Sequence, residues 1–410
     1  MRTLFYNGDI LTMESPRPAE AVLIEGRRIM AVGDLSAIAP LAINGTRIVD
    51  LQGGALLPGF VDCGYSFLSA LRRRLPAAAG GREIRAAIEE TWSDYVRHGY
   101  TAIGVCGVTS EMMKMFSHTA LPYPLWAVAD VQETEAVLRA AASSHGRVHL
   151  QGVYLDLDVR EDGGEATGRL AYCDRAVNYA LHAAAAAGLS PVIRAESAAA
   201  AEQVIRVARA LTRACPALAA TRPVLLDARA LSPLSMEKLR EVGGIPCFAA
   251  DVIPRLGDDI LVARSSEEAA HLTPYAAARR GGLPFTRCGM AGGEIPDPVS
   301  LLSAAVCRRT ARGILLGENE RASVYDALRG LTVHGAWQYH AEHAWGSIRA
   351  GLQADLVMMD ASPLSLPSAE LGSLRCVATW VAGEQVYRNI DDKISTHDER
   401  VPSVYESFIK

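Results

Sequence analysis

No stretch of this chain approaches the ~18 apolar residues needed to cross a bilayer, so no membrane partner is expected. The start, Met1 to Asp9, carries no long apolar core, and no secretory leader is expected there. Cysteine is sparse: eight residues in 410, with no C-x-x-C pair. That spacing excludes a zinc knuckle and a disulfide frame, and places the chain in the reducing cytoplasm. Lysine is scarcer still, with Lys114, Lys238, Lys393 and Lys410 the only four among 41 basic residues. Basic and acidic residues (41 and 46, net charge -5) are mixed along the chain, so no basic face and no nucleic-acid partner are expected.

What is present is a globular composition, 50% apolar and 21% charged. The first 55 residues read as short strands and tight turns: Thr3 to Tyr6, Ala21 to Ile24, Arg28 to Val32. Ala354 to Asp360 and Cys376 to Val381 read the same way, with Gly383-Glu384 as a hairpin turn. Segments 1–55 and 345–391 are expected to pair into one small β-sandwich, and 392–410 to form a tail. Between them, over 56–344, short apolar strands alternate with helical stretches, the signature of parallel βα units. Eight strands end near Cys63, Cys106, Asp130, Asp158, Glu196, Ala228, Asp251 and Gly289. Helices are predicted over 81–98, 131–145, 172–187, 198–213 and 265–280, the Ala183–Ala187 run packing within one of them. The fold class is α/β, a (β/α)8 barrel with a sandwich appended, and chemistry in such a barrel belongs at the C-terminal strand ends.

Three stretches carry a resemblance. Leu56-Leu57-Pro58-Gly59-Phe60-Val61-Asp62 looks like an entry into a first barrel strand. Gly346 to Val357 looks like the return from barrel to sandwich, and Thr379 to Tyr387 like a closing hairpin. Together they resemble the amidohydrolase superfamily, in its amidohydrolase 3-like branch; Asp297-Pro298 fits the branch loosely. The resemblance implies hydrolysis of a non-peptide C–N bond in a small molecule by metal-activated hydroxide, and by analogy a homodimer.

The ligands that the resemblance implies are missing. Where Asp-x-His-x-His should close the first strand, the chain reads Asp62-Cys63-Gly64-Tyr65-Ser66. Tyr154 stands for the fourth-strand lysine, Arg194 and Asp227 for the fifth- and sixth-strand histidines, and Gly289 for the eighth-strand aspartate. None of the ten histidines (His98, His118, His145, His149, His182, His271, His334, His340, His343, His397) falls at a predicted strand end. Glycine has no side chain and arginine only donors, so neither side chain ligates a cation. Activity is therefore expected to be lost or metal-independent, with a non-catalytic ligand- or partner-binding protein as the alternative.

Several groups compete for the mouth. Arg194 and Asp227 either form a buried ion pair filling the old site or leave Arg194 to clamp an anion, with Glu196 and Asp158 competing for the guanidinium. Cys63, Cys106, Cys247 and Cys288 stand on neighbouring strands. They pack as small hydrophobes, hold zinc or copper as thiolates, or supply a nucleophile (Cys63 or Cys288) activated by Arg287 or Arg194. No cofactor is otherwise expected. Asp62, Asp130, Asp158, Glu196 and Asp251 are acid/base candidates, or simply loop-capping carboxylates. Tyr154, Arg194, Glu196 and Arg287 are the expected contacts to a small-molecule ligand. His334 lies after the eighth strand with His340 and His343, and the spacing of the latter two could set them on one helical face. Arg72-Arg73-Arg74 reads as a solvated basic run or an anion contact, and Gly53-Gly54 and Gly163-Gly164 as turns.

Overall fold

The computed structural model describes residues 1–64, 66–76, 80–118, 124–142, 147–160, 166–290 and 294–389. They fall into two compact units: Met1–Val61, Trp92–Thr101 and Val324–Lys410 form one, Asp62–Thr91 and Ala102–Ser323 the other. The expected tail, the Gly163-Gly164 turn, His145 and His397 lie outside the described residues.

The two chain ends pair into one eight-stranded mixed sheet. Ala55–Pro58 runs antiparallel to Leu356–Met359, with Leu56 opposite Met358. On the other side Ala55–Pro58 joins Arg2–Ile10, which also pairs in parallel with Arg47–Asp50. Alternation of apolar residues gives this sheet a buried cluster on each face, Phe5, Val22, Leu56 and Trp380 on one, and Leu4, Leu23 and Ile38 on the other. Gly53 turns the chain with φ +81°, as a turn requires, and a Cβ on Gly54 would meet the Met359 carbonyl at 2.4 Å.

The middle of the chain forms a nearly closed parallel barrel. Its strands are β1 (Phe60–Asp62), β2 (Tyr100–Val108), β3 (Leu125–Asp130), β4 (Val148–Asp156), β5 (Ser190–Arg194), β6 (Val224–Leu226), β7 (Ile245–Ala249) and β8 (Thr286–Cys288). They lie side by side in chain order. The seam is tight: Cys247 Sγ sits 3.8 Å from the Cys63 carbonyl oxygen, and a Cβ on Gly64 would lie 2.8 Å from that of Cys288. Every residue of β6, β7 and β8 is buried, as expected of parallel strands covered on both faces.

The helices follow from local signals. Ala198–Ala214 begins where the Ser197 hydroxyl accepts from Ala200 N–H, and buries Val204, Ala208 and Leu211 at one-turn spacing. The Ala183 run lies in Asp174–Ala186, where Ala184 and Ala185 are buried. One expectation fails: the helix over 265–280 is two short helices, Ser266–Ala270 and Tyr275–Arg280. Thr273 adopts a left-handed φ of 44° ahead of Pro274, and a proline keeps the residue before it from staying helical. His340 and His343 do not share a helical face either. The helix Val333–Gln338 ends before them, and His340 takes a left-handed φ of 55°.

Candidate functional site

Three neighbouring strands, β4, β5 and β6, run out into charged residues spaced two apart: Asp156, Asp158 and Arg160; Arg194 and Glu196; Asp227 and Arg229. In extended chain, residues two apart share a face. Asp227 lies just past β6 with a left-handed φ of 59°, a conformation that aspartate tolerates better than most residues.

The three arginines and three of the carboxylates close into a lattice. Arg160 binds Asp156 at 2.9 Å and Glu196 at 2.8 Å. Arg194 reaches Asp227 at 3.2 Å, Asp156 at 3.4 Å and Glu196 at 3.5 Å. Arg229 binds Asp227 through Nε at 2.8 Å and Glu196 at 3.0 Å. Seven of the nine possible arginine–carboxylate pairs are therefore made. Asp227 is fully buried, and Glu196 and Arg229 nearly so. Burial pulls the Arg160 guanidinium down, but its bonds to Glu196 and Asp156 outweigh that and leave it above its usual value. Charges this deep persist only because each is matched.

The Arg194–Asp227 pair read from the sequence is thus present, inside a larger assembly. Glu196 does compete for Arg194, but Asp158 does not. Its Oδ2 accepts from Glu196 N–H at 2.7 Å and from Ser197 N–H at 3.3 Å, holding the turn into the helix Ala198–Ala214. Asp156, Arg160 and Arg229 were missed by the sequence reading. The recurrence of charge at a spacing of two on three successive strand ends was the signal that could have found them.

Cys63, Cys106, Cys247 and Cys288 are all buried. Cys247 Sγ sits 3.8 Å from the Cys63 carbonyl and Cys106 Sγ 3.5 Å from that of Gly64, and Cys63 lies within electrostatic reach of Cys288 and Cys106. The direction of the thiol shifts runs against the nucleophile reading. Burial, with Asp62 and Cys288 behind it, pushes the Cys63 thiol well up, and the neighbouring Cys247 thiol, with burial, does the same to Cys288. Arg287 cannot help Cys288 or meet a ligand at the mouth. Alternation along β8 turns it to the outer face, where it is fully buried and donates to the Leu301 carbonyl at 2.7 Å.

The remaining candidates are spread around the rim. Asp62 is buried and accepts from Gly64 N–H at 2.9 Å. The Ser66 hydroxyl is buried without a hydrogen-bond partner among the described residues. Burial and the neighbouring Asp156 raise the Tyr154 phenol. A Cβ on Gly289 would press on Pro296 at 2.7 Å. Asp130 caps the short turn after β3, accepting from Gln132 N–H. Asp251 accepts from Met290 N–H at 2.8 Å, and burial raises its carboxyl. Arg72 to Arg74 occupy the last turn of the helix Ser66–Arg74, where cations suit the helix end.

Two clefts open beside the lattice. One, of about 320 Å³, has Glu196, Arg229 and the first turn of Ala198–Ala214 in its wall. The other, about 650 Å³, shares Ala230, Arg264 and Leu272 with it. Each is of a size suited to a small molecule, and Ala230, Arg264 and Leu272 form a wall common to both.

The divalent metal implied by the resemblance does not fit this donor set. No described histidine stands at the C-terminal end of a barrel strand; His149, for one, is the second residue of β4 and stacks on Trp126. Among the described residues, no group of three or more His, Cys, Asp or Glu is arranged to hold a metal ion, thiolates included. The carboxylates Asp156, Glu196 and Asp227 are already taken up by guanidinium groups.

A profile of the amidohydrolase family matches residues 66–387. An imidazolonepropionase of Porphyromonas gingivalis is 26% identical over 416 residues, covering 93% of this chain and 92% of that enzyme. An N-substituted formamide deformylase of Arthrobacter pascens is 33% identical over 87 residues, 21% of this chain and 16% of the deformylase. Among solved structures, an uncharacterized metal-dependent hydrolase from Pyrococcus furiosus superposes with a TM-score of 0.72 at 15% identity, over 89% of this chain and all of that one. The A. niger ochratoxinase gives 0.67 at 14% identity, over 97% and 98%. At these identities the superpositions speak for the fold alone.

Proposed function

This chain belongs to the amidohydrolase family, a family of hydrolases, and from that premise we propose that its barrel mouth works without a metal ion and binds a small molecule. One observation carries the reading: Arg194 occupies the fifth-strand position and is bonded at once to Asp156, Glu196 and Asp227. A guanidinium supplies there the positive charge that a metal would bring, but as an array of donors with no coordination position. Three arginines against three carboxylates, two of them (Glu196 and Asp227) buried, balance charge, so a divalent cation would add two uncompensated charges beside the buried pair. The cleft beside Glu196 and Arg229 gives a small molecule its seat. Names such as imidazolonepropionase and formamide deformylase among the relatives agree with a ligand of that size.

Native mass spectrometry of protein made in zinc- and manganese-supplemented medium, without chelator, tests this. The expected spectrum lacks a metal adduct and carries small-molecule adducts that disappear in Ala230→Trp, which fills the shared wall of the two clefts. A stoichiometric divalent metal would overturn the reading.

Asp251 favours a second reading, hydrolysis without metal. Its raised carboxyl at the end of β7 has the property that a general acid needs. Turnover of small amides that survives chelation and is abolished by Asp251→Asn would establish it in place of pure binding.

A further inference from the structure

The chain has five asparagines, and two of them, Asn7 and Asn44, are followed by glycine. Glycine in that place leaves the asparagine amide open to attack, because no side chain shields the following backbone nitrogen. Sequence treats the two pairs alike, and the fold does not.

Asn44 and Gly45 are both exposed, at the centre of a turn just ahead of Arg47–Asp50. The turn is closed by its outer residues. Thr46 N–H donates to the Ile43 carbonyl at 2.9 Å, and Ile43 N–H donates to the Thr46 hydroxyl at 3.0 Å. No described residue hydrogen-bonds the Asn44 side chain or the Gly45 N–H. Gly45 has a φ of +85°, and a Cβ built on it would meet nothing within 4 Å, so the nitrogen has open space around it.

Asn7 is held on every side. Its Nδ2 donates to Asp50 Oδ1 at 2.7 Å, and its carbonyl accepts from Gly53 N–H at 2.8 Å. A Cβ on Gly8 would lie 2.5 Å from the Gly54 carbonyl oxygen and 2.7 Å from Leu51 Cβ. Ring closure at Asn7 must break the bond to Asp50 and develop a negative charge beside that carboxylate.

We propose that Asn44 is a site of spontaneous modification, deamidation through a succinimide, and that Asn7 is protected from it. The Gly45 nitrogen, its proton taken by hydroxide, bonds to the side-chain carbonyl carbon of Asn44. The bond from that carbon to the amide nitrogen breaks, and ammonia leaves. Water then opens the ring at either carbonyl, giving aspartate or isoaspartate. Either product adds one negative charge to the surface. Isoaspartate also lengthens the backbone by one methylene just ahead of Arg47–Asp50. The site is independent of the barrel reading, because no residue of the lattice or its clefts takes part.

Peptide mapping by mass spectrometry tests it, on the full chain aged at pH 8 both folded and unfolded in guanidinium chloride. In the folded chain Asn44 is expected to convert at least about tenfold faster than Asn7, the factor that a hydrogen bond to a carboxylate places on local opening. In denaturant the two rates are expected to converge, since both pairs then have the same unhindered neighbour. Asn44→Gln should remove the acidic species that accumulates on isoelectric focusing of the folded protein. Equal conversion of Asn7 and Asn44 in the folded chain, or an Asn44 that is inert when folded and converts only in denaturant, would overturn the proposal.

Discussion

Asp227→Asn puts the arginine lattice to its sharpest test. The carboxylate is fully buried and accepts from Arg194 at 3.2 Å and from Arg229 at 2.8 and 3.2 Å. Asparagine keeps the shape and one acceptor oxygen, and it tolerates the left-handed backbone at this position, so no new strain confuses the result. What changes is charge. Arg194 falls back on its longer contacts at 3.4 and 3.5 Å, and the new amide turns donors toward guanidinium donors. Removing one partner from a buried ionic set costs about 3–5 kcal/mol. At ~2–4 °C per kcal/mol for a unit of this size, the melting point should fall by roughly 6–20 °C. Urea unfolding gives the free energy directly, and a cycle with Arg194→Met should show a coupling of about 1–3 kcal/mol. A loss under ~1 kcal/mol, or strict additivity in the cycle, would show that the lattice is not an interdependent structure and would remove the ground for a metal-free mouth.

The barrel thiols should be inert. With Cys63, Cys106, Cys247 and Cys288 buried and their pKa values raised, a thiol reagent at pH 8 should label the exposed Cys173 quickly, and those four only after unfolding. Peptide mapping that finds Cys63 or Cys288 in the fast phase would refute this. Arg308 is fully buried and donates to the carbonyls of Ala270, Leu272, Thr273 and Leu316 at 2.7–3.3 Å. Arg308→Met should therefore cost at least about 3 kcal/mol in urea unfolding, with lysine only partly restoring it. A cost near zero would show those carbonyls finding other donors. Asp355 is pushed by burial from 3.8 up to about 6, so folding favours its protonated form. Its stabilising effect is complete below pH 3.8 and fades as pH rises through 6, a loss of at most ~3 kcal/mol. Unfolding measured from pH 4 to 8 should show that decline in the native chain and a flatter profile in Asp355→Asn; equal slopes would refute it.

Much of the scaffold was legible in the residues. The eight barrel strands lie where apolar runs bounded by turns placed them, because strands covered on both faces need continuous apolar sequence. The pairing of the two chain ends was likewise legible in the alternation of Thr3 to Tyr6 and Leu356 to Met359. That no imidazole stands where the resemblance implies one was plain from Gly64, Ser66, Arg194 and Asp227. The break at Thr273 and Pro274 was harder to see, since the helical pattern around it is strong and only a backbone conformation interrupts it.

Sequence by itself, then, determined a (β/α)8 barrel of amidohydrolase kinship. Only the tertiary structure decided which charges meet. Asp156, Glu196 and Asp227 come from three strands, and their partners are fixed by parallel pairing that sets Arg194 beside Asp156 on one side and Leu226 on the other. The same registry turned Arg287 outward to Leu301 and buried the four strand thiols. Spacing along a strand tells which residues share a face; which faces confront one another depends on barrel closure, and that is a property of all eight strands together.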